Sequence, residues 1–238
     1  TDDLRNAQIY RGLYPKTLLE KIKQNGVENV LGAEIGISNI TSDMTFAADG
    51  NYPCVKGIDI VRYGLKPEAR YLKGSVAHRF TKIYTQQEKL IAQEIIAHIE
   101  NPRPHILITA FLDDKKRLFN DTCVEIKFDR RLNPKFVLGY LHSEFVNWYA
   151  YNFIYNRAVR TMHFIDYYVR QIPIPKSVLE SPEVQQPIVA LVDQILSAKQ
   201  ANPAADTSAW EREIDERVYR LYGLTPEEIK LVEEGASK

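Results

Sequence analysis

Residues 135–175 read KFVLGYLHSEFVNWYAYNFIYNRAVRTMHFIDYYVRQIPIP, and no other stretch restricts the fold as much. Val137, Leu138, Leu141, Phe145 and Trp148 recur at steps of three and four, which predicts a helix over 136–149 with one face in a core. Asn156, Arg157, Arg160, Thr161 and His163 then turn the chain polar and basic. Gln171-Ile172-Pro173-Ile174-Pro175 closes the stretch, because two prolines forbid helix and force an extended exit. A buried aromatic helix followed by an exposed basic loop predicts a scaffold that presents a contact surface. The same residues also fit a plain core helix with solvated arginines.

The chain before this stretch reads mainly as strands and turns. Leu18, Leu19 and Ile22 predict a short helix that stops at Asn25-Gly26. Residues 32–47, GAEIGISNITSDMTFA, read as a strand and a Ser/Thr/Asn/Asp-rich loop. Residues 52–63, YPCVKGIDIVRY, turn at Gly57 and read as an edge strand leading to a basic tip at Arg62 and Tyr63. Residues 85–99 are ambiguous. Thr85 with Glu88 fits a capping box, and Leu90, Ile91, Ile95, Ile96 and Ile99 partly fit a helical face. The run KLIAQEII is also rich in β-branched residues, so local pattern favours helix only slightly over strand. Residues 106–112 read as a strand, 113–116 as a solvated turn, and 122–128 as an alternating strand with Glu125 and Lys127 outward. Together they predict a hairpin.

Beyond Pro175 the period changes. Val184, Ile188, Leu191, Ile195 and Ala198 mark the seam of a paired helix, with Pro187 in its first turn. Ser208 with Glu211 reads as a capping box ahead of Trp210, Ile214, Val218 and Leu221, and Gly223 ends that helix. Thr225-Pro226-Glu227-Glu228 opens a third. The bland reading of this tail, a packing and orientation element, is preferred.

Lys plus Arg and Asp plus Glu number 31 each, so overall charge points to no partner. Its distribution is uneven. From Lys176 onward there are 7 basic and 12 acidic residues, which leaves the first 175 residues at +5 and the tail at −5. Such asymmetry is a modest pointer to a polyanion partner for the basic part. Cys54 and Cys123 form no metal or redox spacing, and a reducing, cytoplasmic compartment is expected. No apolar run reaches membrane-spanning length. The chain starts at Thr1 without a signal peptide, and a fragment of a longer polypeptide is expected.

Catalytic equipment is sparse. No glycine-rich phosphate loop or nucleophile elbow occurs, and the five histidines have no metal-ligand spacing. Asp113, Asp114, Glu125 and Lys127 could mimic a magnesium-dependent nuclease site, but Glu125 and Lys127 fit better as the solvent face of a strand. Binding chemistry is richer. Arg62 with Tyr63, Arg79, Lys115 and Lys116 with Arg117, Arg130 with Arg131, and Arg157 with Arg160 and His163 all lie near predicted loops. Such side chains neutralise phosphates, and arginine reads guanine with two parallel hydrogen bonds. Each cluster alone is more often solvated surface; several on one half of the chain favour binding.

The order of these segments resembles the C-terminal specificity domain of TaqI-type adenine DNA methyltransferases and of fused type IIG restriction-modification enzymes. GAEIGISNITSDMTFA resembles the family's first strand and loop, and VKGIDIVRY its glycine element. KLIAQEII and RPHILITAFLD resemble paired strands, which overrides the local helix preference. FVLGYLHSEFVNWYA resembles a helix usually written Leu-x-x-Leu-Asn-Ser, here with His142 in place of Asn, and FIDYYVRQIPIP and IDERVYRLYGLTPEEI resemble its closing elements. The methyltransferase's catalytic tetrapeptide and cofactor-binding glycine motif are absent.

The resemblance implies an α+β fold. A mixed or antiparallel sheet with packed helices would form a target recognition domain over 33–176, after an N-terminal linker or helical segment over 1–32 and before a helical hairpin over 177–238. It implies sequence-specific double-stranded DNA recognition without chemistry in this chain. A methyltransferase domain in the same polypeptide or a separate subunit would flip out the adenine. S-adenosylmethionine, with magnesium as a second candidate, would belong to that parent enzyme. Half of a type I specificity subunit is an alternative of the same kind. A metal-dependent nuclease domain and a protein-interaction module are alternatives of other kinds.

Overall fold

A computed structural model describes residues 14–48, 51–77 and 88–234. Helix α1 (Lys16–Asn25) buries Leu18 and Ile22 and stops at Gly26. It is followed by β1 (Gly26–Val27), β2 (Leu31–Ile35), β3 (Met44–Thr45), β4 (Asn51–Val55), β5 (Ile60–Val61), β6 (Gly64–Leu65), β7 (Arg70–Lys73) and the single turn α2 (Gly74–Ala77). Next come β8 (Lys89–Gln93), β9 (Ile95–Ile96), β10 (His98–Ile99), β11 (His105–Ile106), β12 (Ala110–Asp113), β13 (Leu118–Phe119) and β14 (Cys123–Phe128). The last part holds α3 (Pro134–His142), α4 (Glu144–Tyr149), β15 (Met162–His163), α5 (Asp166–Val169), β16 (Ile174–Pro175), α6 (Lys176–Glu180), α7 (Gln186–Ala201), α8 (Ser208–Tyr222) and α9 (Pro226–Glu234). The architecture is α+β, as expected.

The central sheet has the order β12-β8-β14-β2 and is antiparallel throughout. Leu90, Ala92, Ala110, Val124 and Ile126 belong to the main core with α3 and α4. Ile91, Phe111 and Cys123 belong to a smaller core with Val55, Ile60 and Phe119. Strand β8 is therefore buried on both faces, and a strand so placed loses the alternation that would identify it. That is why KLIAQ resembles a helix face locally yet forms a strand. The Thr85 half of the expected capping box lies outside the described residues.

Three local expectations are corrected. Strands β12 and β14 do not form a hairpin, since each pairs with β8. Residues 106–112 are not one strand, because β11 pairs with β10 and β12 joins the central sheet. Between them the Ile108 N–H leaves the ladder and donates to Asn147 Oδ1 at 2.7 Å. Asp113, expected in a solvated turn, is fully buried. It accepts hydrogen bonds from the Arg117 guanidinium and from the Lys115 and Arg117 backbone N–H groups.

A second sheet, β13-β4-β7-β3, has a small core of Ile40, Cys54, Leu72, Val76, Ala77 and Leu118. Strand β4 lies inside this order, not at its edge. Strand β13 pairs only with Cys54 and Val55, however, so Pro53 sits where β4 has a single neighbour and its missing N–H breaks no ladder.

The predicted helix over 136–149 is divided. Ser143 leaves helical geometry at ψ 150° and its Oγ caps α4 by accepting from the Val146 N–H at 3.3 Å. His142 and Asn147, polar yet buried, flank the break. His142 Nε2 accepts from the Ala110 N–H at 3.0 Å, so both side chains serve backbone groups of the segment beside β12. Helix α7 crosses α3 at Gly139, where a Cβ would stand 2.8 Å from Val192 Cγ2. Thr207, rather than Ser208, takes the cap position of α8 and bonds Glu211 at 2.7 Å. Gly223 ends α8 at φ 63°. The Thr225–Glu228 capping box forms in both directions. Leu18 and Ile22 of α1, Ile188 and Ile195 of α7, Ile214 and Val218 of α8, and Val232 of α9 all join the main core.

Candidate nucleic-acid interface

The chain leaves α4 through a π-helical turn, Ala150–Ile154. The Tyr155 and Arg157 N–H groups fold back onto the Ala150 and Tyr151 carbonyls, each at 2.8 Å. Asn156 and Arg157 take left-handed φ values of 51° and 55°. That conformation costs a non-glycine residue roughly 1–2 kcal/mol, so the surrounding bonds must hold it. The far end is tied as well. Strand β15 pairs with β9, and the Tyr155 hydroxyl donates to the His163 carbonyl at 3.0 Å. Residues 156–162 are thus a loop with both ends pinned together. At its crest Val159, Arg160 and Thr161 are exposed, and Arg160 makes no ion pair among the described residues. His163, with its side chain 62% exposed, places Nδ1 2.6 Å from the carboxylate of buried Glu94.

The structure distributes the other predicted contact residues unevenly. Lys115 and Lys116 are exposed on the turn after β12, with Lys116 in the left-handed region at φ 53°. That turn lies at the Lys89 end of β8 and the pinned loop at the Gln93 end, on the order of 13 Å along the strand. Arg130 is exposed. Arg131 is exposed but forked onto Asp129, with two hydrogen bonds of 2.9 Å. Arg62 bonds Glu211 of α8 and the His142 carbonyl. Tyr63 is a core residue whose ring meets His142 edge-on at 4.3 Å. Arg157 is half-buried. Arg79 lies outside the described residues. Among the described residues, Arg157, Arg160 and His163 form a group of three on one loop and its base.

Sequence reasoning passed over Glu94, whose partner His163 is 69 positions away and leaves no local signal. It also passed over Lys56, Lys66 and Lys73, isolated lysines on or beside the second sheet. Exposed Phe46 carries the Arg70 guanidinium 4.4 Å above its ring, and Arg70 is paired with Asp59.

The residues weighed for a nuclease are engaged elsewhere. Asp113 is held by Arg117 and lies 3.8 Å from buried Lys89, whose pKa is lowered by burial against the opposing pull of Asp113. Glu125 is buried and paired with Lys127 at 2.6 Å. Among the described residues no group of three or more His, Cys, Asp or Glu is placed to hold a metal ion. Cys54 and Cys123 are free and buried, and burial pushes the Cys54 thiol up to about 12. Among the described residues no helix is long and apolar enough to cross a membrane.

No curated protein matches the chain. Two of the solved structures that share the fold are restriction enzymes. One is the type IIG restriction endonuclease BpuSI, 10% identical, matching 98% of this chain and 34% of its own with a TM-score of 0.54. The other is the type IIL restriction-modification enzyme MmeI in complex with DNA, 10% identical, matching 90% of this chain and 35% of its own with a TM-score of 0.55. The chain spans about a third of the length of each. The family described as the TaqI-like C-terminal specificity domain matches residues 52–174, which takes in β7 and β13 and nearly all of β4 in the second sheet, the central strands β8, β12 and β14, the divided helix and the pinned loop. With that match covering more than half of its length, this chain belongs to the TaqI-like C-terminal specificity domain family.

Proposed function

We propose that this chain is the double-stranded DNA recognition module of a cytoplasmic restriction-modification enzyme. The observation that carries the reading is the pinned loop 156–162 on a specificity-domain fold, with Arg160 at its crest and His163 at its base. A loop that reads base edges must be held in register, because a hydrogen bond weakens steeply with misalignment. Here two left-handed residues, a backbone ladder and a tyrosine clasp supply that register. Lys115, Lys116 and Arg130 would neutralise phosphates and set orientation, while the loop contacts bases.

The chemistry belongs elsewhere in this proposal. A methyltransferase domain, in the same polypeptide or in a separate subunit, would bring S-adenosylmethionine, and a fused endonuclease would bring magnesium. The chain by itself should transfer no label from S-adenosylmethionine to DNA. Selection from a pool of random-sequence duplexes tests the recognition role. A short enriched motif, with affinity falling linearly on a log–log salt plot, is expected. A folded chain that binds no duplex at low salt would overturn the proposal.

A further inference from the structure

We infer that Glu94 is a positioning residue that aims His163 at a base edge, so that the pair sets the preference at one position of the DNA target. This rests on the DNA-recognition reading above. Glu94 is 6% exposed, and a buried carboxylate is costly unless it is paired. Its side-chain partner is an imidazole that stands mostly in solvent, with Nδ1 at 2.6 Å. An ionised carboxylate can only accept, so Nδ1 carries the proton and donates, and Nε2 is the nitrogen left to face outward. The backbone of Glu94 is fixed at both ends. Its N–H donates to the Thr122 carbonyl at 3.0 Å, and its carbonyl accepts from the Phe164 N–H at 2.6 Å.

The imidazole is therefore held by its side chain and by the main chain on either side. Ile95 pairs with His163 in the ladder, and the Tyr155 hydroxyl takes the His163 carbonyl. A ring held this way presents its outer nitrogen in one orientation, as a directional contact requires. A neutral Nε2 accepts a hydrogen bond, which fits the exocyclic amino group of adenine or cytosine in the major groove. A protonated Nε2 donates, which fits guanine N7 or O6. In both cases the contact is with a base and confers preference at one position.

The test uses the 238-residue chain, a random-duplex pool, and then the enriched duplex with its single-base variants. His163→Ala and Glu94→Ala should both keep the motif except at one shared position. There the preference relaxes and affinity for the best duplex falls roughly ten-fold, within the range of one base contact. Glu94→Gln, which keeps an acceptor oxygen, should restore most of the preference. Glu94→Ala should add nothing in a His163→Ala background. If Glu94→Ala does not fold by circular dichroism, Glu94→Asp, with its oxygen drawn back by one methylene, must relax the same position. Three outcomes would overturn the inference: uniform weakening across all sequences, which marks a phosphate contact; an added loss from Glu94→Ala without His163; or unchanged preference in folded variants. A wild-type chain that binds no duplex would sink the DNA reading itself. Wild-type binding with unaltered variants would sink only the role of Glu94.

Discussion

The hydroxyls of Tyr140 and Tyr222 lie 2.9 Å apart, and both approach the Pro173 carbonyl oxygen. Tyr140 belongs to α3 and Tyr222 to the last turn of α8, so three separate segments meet at one oxygen. Two protons serve three contacts, so only two of the three can be hydrogen bonds at once. Either tyrosine alone can satisfy the carbonyl. Tyr140→Phe or Tyr222→Phe should each cost about 1 kcal/mol. The double variant leaves the buried carbonyl without either donor and should lose more than the sum, by roughly 1 kcal/mol. Urea denaturation of the four proteins gives the coupling, and strict additivity would argue against a shared acceptor.

Gly139 lets α3 and α7 approach closely. A Cβ there would sit 2.8 Å from Val192 Cγ2 and 3.1 Å from Ile188 Cγ2. Gly139→Ala gains up to about 1 kcal/mol of helix propensity but overpacks the crossing, at about 1–3 kcal/mol. A net loss near 1 kcal/mol is expected. Val192→Ala destabilises the wild type by opening a cavity, yet in the Gly139→Ala background it should recover part of the loss. Melting temperatures of the cycle check the sign reversal.

Asp215 offers a pH handle. Burial raises its pKa to about 7, against the bond from the Glu144 N–H at 2.7 Å and the nearby Arg62 guanidinium. Neighbouring Glu144 is also raised, by burial, against Arg103. A carboxyl raised on folding holds its proton more tightly in the native state than in the unfolded chain. Its contribution is therefore fully present below the unfolded value near 4 and is lost as pH rises through about 7. Asp215→Asn keeps an acceptor for the Glu144 N–H without the charge. Urea midpoints at about pH 5 and about pH 8 should differ less for the variant than for the wild type, by a stability difference on the order of 2 kcal/mol. An equal difference in both proteins would remove Asp215 from the pH response.

Arg62 and Arg160 should separate fold from recognition. Arg62 bonds α8 through Glu211, so Arg62→Ala is expected to lower the urea midpoint and leave binding by the folded fraction unchanged. Arg160 stands exposed on the pinned loop, so Arg160→Ala should leave stability within about 0.5 kcal/mol. It should weaken duplex binding. A phosphate contact would flatten the salt slope by about one unit, and a guanine contact would relax one base position. The opposite pattern in the two variants would exchange their roles.

The tail helices were legible because each has a surface face and a buried face, so Ile188, Leu191 and Ile195 keep their period. The strand at Leu90 and Ile91 was legible through the family resemblance and not from local pattern, because both of its faces are covered and the alternation disappears. Tyr63 looked like part of a basic tip because Arg62 precedes it; its burial depends on His142, far along the chain. The loop around Arg160 could be read from its charge, whereas Glu94 could not. Its meaning arises only when β9 pairs with β15. Local pattern reports the faces of an element, and it is silent on which remote groups those faces meet.

Because Val159, Arg160 and Thr161 all project from a closed clasp into solvent, replacing them should disturb folding by only about 0.5 kcal/mol or less. Folding therefore places little constraint on these three letters, while Tyr155 and Glu94 stay put. On the recognition proposal, a lineage built this way would acquire new targets through substitution at the crest, with its scaffold inherited unchanged.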